Sequence, residues 1–143
     1  MSAAPTNRAT AAVPSRQLVL GIEASTPACG VALADRDGNL LAHVWSDGPV
    51  PASERLLPDV DRILRQFGVR SEEIRAVAVA LGPGAFTGLR VALAQAKTLA
   101  QAWGVRLYGF STLETTARRW PVPGDVVCVA LDARRGEVYS GLY

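Results

Sequence analysis

Three short apolar runs open the patterned part of the chain: QLVLGIEA over 17–24, ACGVALAD over 28–35 and NLLAHVWS over 39–46. Ser25-Thr26-Pro27 separates the first pair and Asp37-Gly38 the second. Short strands joined by tight polar turns, one of them the strong hairpin signal Asp-Gly, predict an antiparallel β-β-β meander. The period then changes. From Ser53, apolar residues fall at 56, 57, 60, 63, 64 and 67, the spacing of one helix face. Ser53 is the expected cap of that helix, Gly68 its stop, and Pro58 lies in its second turn. A single turn at Ser71 leads into a buried strand over Ala76 to Ala80, and a second helix is expected from Thr87 to Trp103. A short strand over Val105 to Gly109 follows, then a helix opened by a capping box between Ser111 and Glu114. Beyond Pro121, Pro123 and Gly124 the runs VVCVALDA and EVYSGLY predict a hairpin whose turn spans Ala133 to Gly136.

Between the central strand and the second helix stands LGPGAFTGLR, residues 81–90. Gly82, Pro83 and Gly84 can extend neither element and force a tight strand-to-helix turn, with Thr87 expected to cap the helix. Such a turn aims N–H groups outward at a helix start, which suits a phosphate, a carboxylate or a partner's backbone. It lacks the lysine of a phosphate-binding P-loop, so the motif alone is a weak nucleotide signal. Within the helix, Leu89, Leu93, Ala96, Ala100 and Trp103 form the face expected on the sheet. Gly88, Ala92, Ala96 and Ala100 form a row of small side chains that lets another helix approach to roughly 8–10 Å. That helix is either the one from Ser53 or a helix of a partner chain.

Composition narrows the class. With 143 residues, 49% hydrophobic and 20% charged, the chain carries enough apolar material for a core. A net charge of +2 does not mark a nucleic-acid protein by itself, although Arg118-Arg119 and Arg134-Arg135 form basic pairs. Cys29 and Cys128 sit in apolar runs without CxxC spacing and are expected as small buried residues in a reducing cytoplasm. The single histidine, His43, rules out a multi-histidine metal cluster and is expected to face solvent from a strand. No apolar stretch approaches the ~18 residues of a membrane span. Residues 1–16 lack an apolar signal region and are expected to be a disordered extension.

The element order β-β-β-α-β-α-β-α is that of a ribonuclease-H-like lobe, an α/β fold with a mixed sheet found in pairs in the actin, Hsp70 and sugar-kinase superfamily. Residues 17–123 are expected to form such a lobe, and 124–143 to open a second, truncated one. GIEASTPACG stands where that superfamily usually has its first phosphate loop, but it lacks the loop's second glycine. The strings LGIEASTPACGVAL, SERLLP, ALGPGAFTGLRVALAQAKTLA, GFSTLE and LDARRGEVY then resemble the bacterial family of tRNA threonylcarbamoyladenosine biosynthesis accessory proteins TsaB, also called YeaZ. The sequence departs from that family where Glu23 replaces an expected aspartate and Ala52 a frequent histidine.

The resemblance implies a non-catalytic scaffold. The related TsaD would transfer the threonylcarbamoyl group to the adenosine beside the anticodon of tRNAs reading codons that begin with A. TsaB-like chains pair with TsaD, and an ATPase, TsaE, docks on that pair. TsaD-type catalysts bind a metal through two histidines on the helix matching residues 53–67, which has none here. No cofactor, metal or catalytic residue is therefore expected, and tRNA is expected to be reached only indirectly. The expected partner surface, for TsaD or for a second copy when TsaD is absent, comprises Leu56, Leu57, Val60, Leu64, Gly88, Leu89, Ala92, Leu93 and Ala96. The alternative reading is a nucleotide-binding ATPase or phosphotransferase of the actin/Hsp70 superfamily, with Glu23 positioning water or metal.

Overall fold

A computed structural model of the chain describes residues 16–120 and 124–143. The three N-terminal runs form strands β1 (Leu18–Glu23), β2 (Cys29–Asp35) and β3 (Leu40–Ser46), followed by helix α1 (Ala52–Gln66) and a 3₁₀ turn at Ser71–Glu73. Then come β4 (Ile74–Gly82), α2 (Phe86–Trp103), β5 (Arg106–Ser111), α3 (Thr112–Ala117) and the strands β6 (Cys128–Arg134) and β7 (Glu137–Leu142). The expected element order holds. The extension expected over 1–16 lies, apart from Arg16, outside the described residues.

The first five strands make one sheet in the order β3-β2-β1-β4-β5, while β6 and β7 pair in a ladder of their own. β1 runs antiparallel to β2 and parallel to β4, so the meander turns into a parallel sheet at β1. Alternation decides the faces. Leu20, Leu33 and Val77 share one register level and Ile22, Val31 and Val79 the next, all on the face covered by α1 and α2. Leu56, Val60 and Ile63 from α1, with Ala92, Ala96 and Ala100 from α2, complete that core. On the opposite face Gly21 lies level with Ala32 and Ala78, and these in turn with His43 and Tyr108. His43 is exposed, as expected of it.

The helix ends follow local chemistry, though two starts differ from expectation. Gly68 and Val69 donate to the carbonyls of Arg65 and Leu64, the paired bonds of a Schellman stop, with Gly68 at φ +60°. Gly104 and Val105 repeat the motif at the end of α2, donating to Gln101 and Ala100. Ser53 and Thr87 do not cap their helices. Each helix is capped two residues earlier, with Pro51 and Ala85 at the cap positions and no side-chain cap bond. At α3 the Ser111 hydroxyl accepts the Glu114 N–H at 3.4 Å, but the Glu114 carboxylate turns to Arg118 at 2.7 Å, so half of the expected capping box forms. In the hairpin, Arg135 and Gly136 both have positive φ, the I′ condition for a two-residue turn.

Candidate functional site

The expected partner surface divides into two sets. Leu56 and Ala92 are fully buried, and Val60 and Ala96 join them in the chain's own core, so none of the four is offered to a partner. The reason is that the small-residue row faces inward: at Ala92, Ala96 and Ala100 the lack of bulk seats α2 on the sheet and against α1. The rest of the set remains on or near the surface. Leu57 is 45% exposed, Leu64, Leu89 and Leu93 are half-buried, and Phe67 adds an exposed ring at the end of α1. Leu57 and Leu64 stand two helical turns apart and Leu89 and Leu93 one, so each helix keeps a short apolar row at the edge of the core, with Leu64 and Leu93 packed partly against it.

Asp59 is the buried acid of α1. Its carboxylate accepts the Ser46 hydroxyl at 3.3 Å and meets the Arg62 guanidinium at 3.2 Å, which ties the helix to β3. Nearby, Cys29 is buried in β2, and burial pushes its thiol above the usual range against the opposing pull of Arg55. Cys128 is not buried as expected. It lies exposed on β6, because the two-stranded ladder has little to pack it against.

The turn of residues 82–85 is built by close packing of backbone on backbone. A Cβ at Gly84 would overlap the Ser25 carbonyl oxygen, one at Gly88 the Ala24 carbonyl oxygen, and one at Gly82 would stand 2.9 Å from Leu89 Cδ1. The Ala85 N–H donates to the Ser25 carbonyl at 2.6 Å. The peptide between Gly82 and Pro83 is cis. Glu23 accepts the Ser25 N–H, which fixes the end of β1 under the turn. The alternative reading needs this turn to hold a nucleotide phosphate, and the residues here do not fit one. The space that glycine clears at 84 and 88 is taken by the chain's own Ala24 and Ser25 backbone, and Glu23 is engaged by a main-chain N–H.

Two open hollows flank this turn. One, of about 600 Å³, lies between Ser25, the start of α2 and the hairpin residues Asp132, Arg134 and Tyr139. The other, of about 580 Å³, runs along α2 past Thr87, Arg90 and Lys97. Between them Phe86 stands 72% exposed, with the Arg90 guanidinium 5.2 Å from its ring centre. Sequence reading passed over Phe86 and Arg90. Their i, i+4 spacing was the available signal, hidden because the register of α2 had been set by its apolar residues.

A five-stranded sheet of order 3-2-1-4-5, antiparallel then parallel, with both long helices on one face, defines the class: a ribonuclease-H-like lobe of the actin-like kind. The family model described as TsaD, tRNA N6-adenosine threonylcarbamoyltransferase, matches residues 51–143, and the chain belongs to that family. Several of the curated relatives it matches carry the name TsaB. The tRNA threonylcarbamoyladenosine biosynthesis protein TsaB of Escherichia coli is 40% identical over 127 residues, covering 87% of this chain and 54% of that protein. The protein of the same name in Bacillus subtilis is 33% identical over 125 residues, with the same coverage. The solved structure of YeaZ from Pseudomonas aeruginosa superposes with a TM-score of 0.79 at 36% identity, covering 89% of this chain and 60% of that one. The chain thus spans about half the length of the curated relatives it matches. Among the described residues no helix is long and apolar enough to cross a membrane.

Proposed function

We propose that this chain supplies the first lobe, and the opening hairpin of a second, of a non-catalytic partner of the TsaD threonylcarbamoyltransferase. The product would be N6-threonylcarbamoyladenosine beside the anticodon of tRNAs reading codons that begin with A. The observation that carries the reading is the similarity over 125–127 residues to proteins named for that biosynthesis. The lobe boundary at 123/124 is supported by the separate pairing of β6 with β7. A non-catalytic role is supported by α1, which holds no histidine where the resemblance puts the two metal-binding histidines of TsaD.

On this reading the partner surface is the outer side of the α1–α2 pair: Leu57, Leu64, Leu89 and Leu93. A TsaD helix pair docks there, a second copy takes its place when TsaD is absent, and a TsaE-type ATPase adds to the pair in the cytoplasm. A stable union of this sort removes roughly 1,200–2,000 Å² from water. The test is copurification of TsaD with the tagged chain from its native cell, joined to nucleoside analysis of bulk tRNA after depletion. Loss of threonylcarbamoyladenosine on depletion is expected. The change Leu57→Glu, at a position 45% exposed, should abolish copurification without altering the melting temperature by more than a few degrees. Unchanged tRNA in depleted cells would refute the proposal.

A further inference from the structure

The surface running along α2 and over its start, which takes in Leu93 of the proposed partner row, carries a charge pattern that an apolar docking row does not explain. α2 has 18 residues and no acidic one; its only charged side chains are Arg90 and Lys97, both exposed and two helical turns apart. Neither forms an ion pair among the described residues, whereas Arg62, Arg65 and Arg118 are paired within their own helices. The positive end of the helix dipole lies at Phe86, where neither a side-chain cap nor a first-turn acid offsets it. The two hollows meet there, since Thr87 lines both. Across the hollow between Ser25 and the hairpin stand Arg134 and the exposed ring of Tyr139. One carboxylate, Asp132, faces the same hollow, and its Oδ1 already accepts the Arg134 N–H at 2.7 Å. The two joined hollows therefore form a strip that gathers three cations, Lys97, Arg90 and Arg134, and two exposed rings, Phe86 and Tyr139.

We propose that this strip binds RNA directly through unpaired nucleotides, with phosphates on Lys97, Arg90 and Arg134 and bases stacked on Phe86 and Tyr139. The inference rests on the tRNA reading above and revises the expectation that tRNA is reached only through the partner. The chemistry chooses this occupant. A duplex needs only the cations, whereas exposed rings interleaved with cations fit bases that have left the stack. An acidic protein segment would satisfy Arg90 and Lys97 and leave both rings without a role.

Anisotropy with the full chain and a labelled hairpin RNA bearing an unpaired loop, beside the same RNA fully duplexed, tests it. The looped RNA is expected to bind more tightly. Arg90→Gln with Lys97→Gln should weaken binding and lower the slope of log affinity against log salt by about 1.4, at ~0.7 per single-strand phosphate contact. Phe86→Ala should cost about tenfold on the looped RNA and little on the duplex. All three side chains are exposed, and unchanged circular dichroism would confirm that the fold persists. Wild-type affinity in these variants, or equal binding of loop and duplex, overturns the proposal. So does loss of a copurifying protein with RNA affinity intact, which would assign the strip to protein docking. Failure of the functional reading is seen separately, as threonylcarbamoyladenosine persisting in depleted cells whatever the RNA result.

Discussion

The five-stranded sheet and the β6–β7 hairpin are built from similar residues and hold together by different means. In the sheet, Leu20, Leu33, Val77 and Val79 are fully buried beneath two helices of 15 and 18 residues. In the hairpin, Val129 is the buried strand residue, packed on Leu113 and Ala117 of the six-residue α3, while Val138, Leu142 and Tyr143 face outward. The difference teaches that strand pairing alone closes no core. An isolated two-stranded ribbon is marginal in water, and a third strand or a covering helix is what makes it independent. Here α3 covers one spot of it.

That contrast can be broken most severely at the sheet. Leu33→Ala should lower global stability by about 2–5 kcal/mol, read as a shifted denaturation midpoint, because its site is fully buried under α1 and collapses poorly. Gly88→Val should cost a comparable amount, since its side chain must displace the Ala24 backbone and not a mobile side chain. The hairpin counterpart, Val129→Ala, should cost about 1–2 kcal/mol and raise amide exchange in β6 and β7 while β1 and β4 keep their protection. Each region carries one cysteine, which sharpens the comparison without any mutation. In the folded chain Cys128 should alkylate readily at neutral pH, and Cys29, buried and with its thiol pushed upward, only on unfolding; mass mapping of labelled peptides checks this. The smallest effect belongs to the β2–β3 turn. Hydrogen bonds from the Asn39 side chain and backbone hold the Asp35 carboxyl below its ordinary value. Its stabilisation is complete above the unfolded carboxyl range near pH ~4 and fades as pH falls through the folded value. Asp35→Asn should flatten that part of the stability–pH curve.

Much of the fold was legible because period and punctuation agreed. The three apolar runs, the Asp37-Gly38 turn and the stops at Gly68 and Gly104 each rest on local chemistry that the sheet did not override. The caps at Ser53 and Thr87 misled, since Pro51 and Ala85, at the end of the Gly82–Gly84 turn, cap the helices two residues earlier. The burial of the proposed interface residues was half legible. Periodicity shows that 56, 57, 60 and 64 share a broad face, but only the seating of α1 on β2 and β3 shows that Leu56 and Val60 fall inside and Leu57 outside. The Gly88, Ala92, Ala96 row illustrates the same limit, for a close-approach surface looks alike in sequence whether the neighbour is a sheet of the same chain or a partner. Phe86 and Arg90 escaped because their significance depends on Tyr139 and Arg134, roughly fifty residues away.

The backbone contacts at Gly84 and Gly88 also have a mechanical meaning. Where two segments touch through side chains, a rotamer change absorbs a push. Where main chain rests on main chain, nothing yields, and the end of β1 and the start of α2 behave as one rigid lever. A protein gripping the outer row of α2 at Leu89 and Leu93 would thereby hold Glu23 to Thr26 in place as well, and would set the floor on which the Phe86 ring meets its ligand.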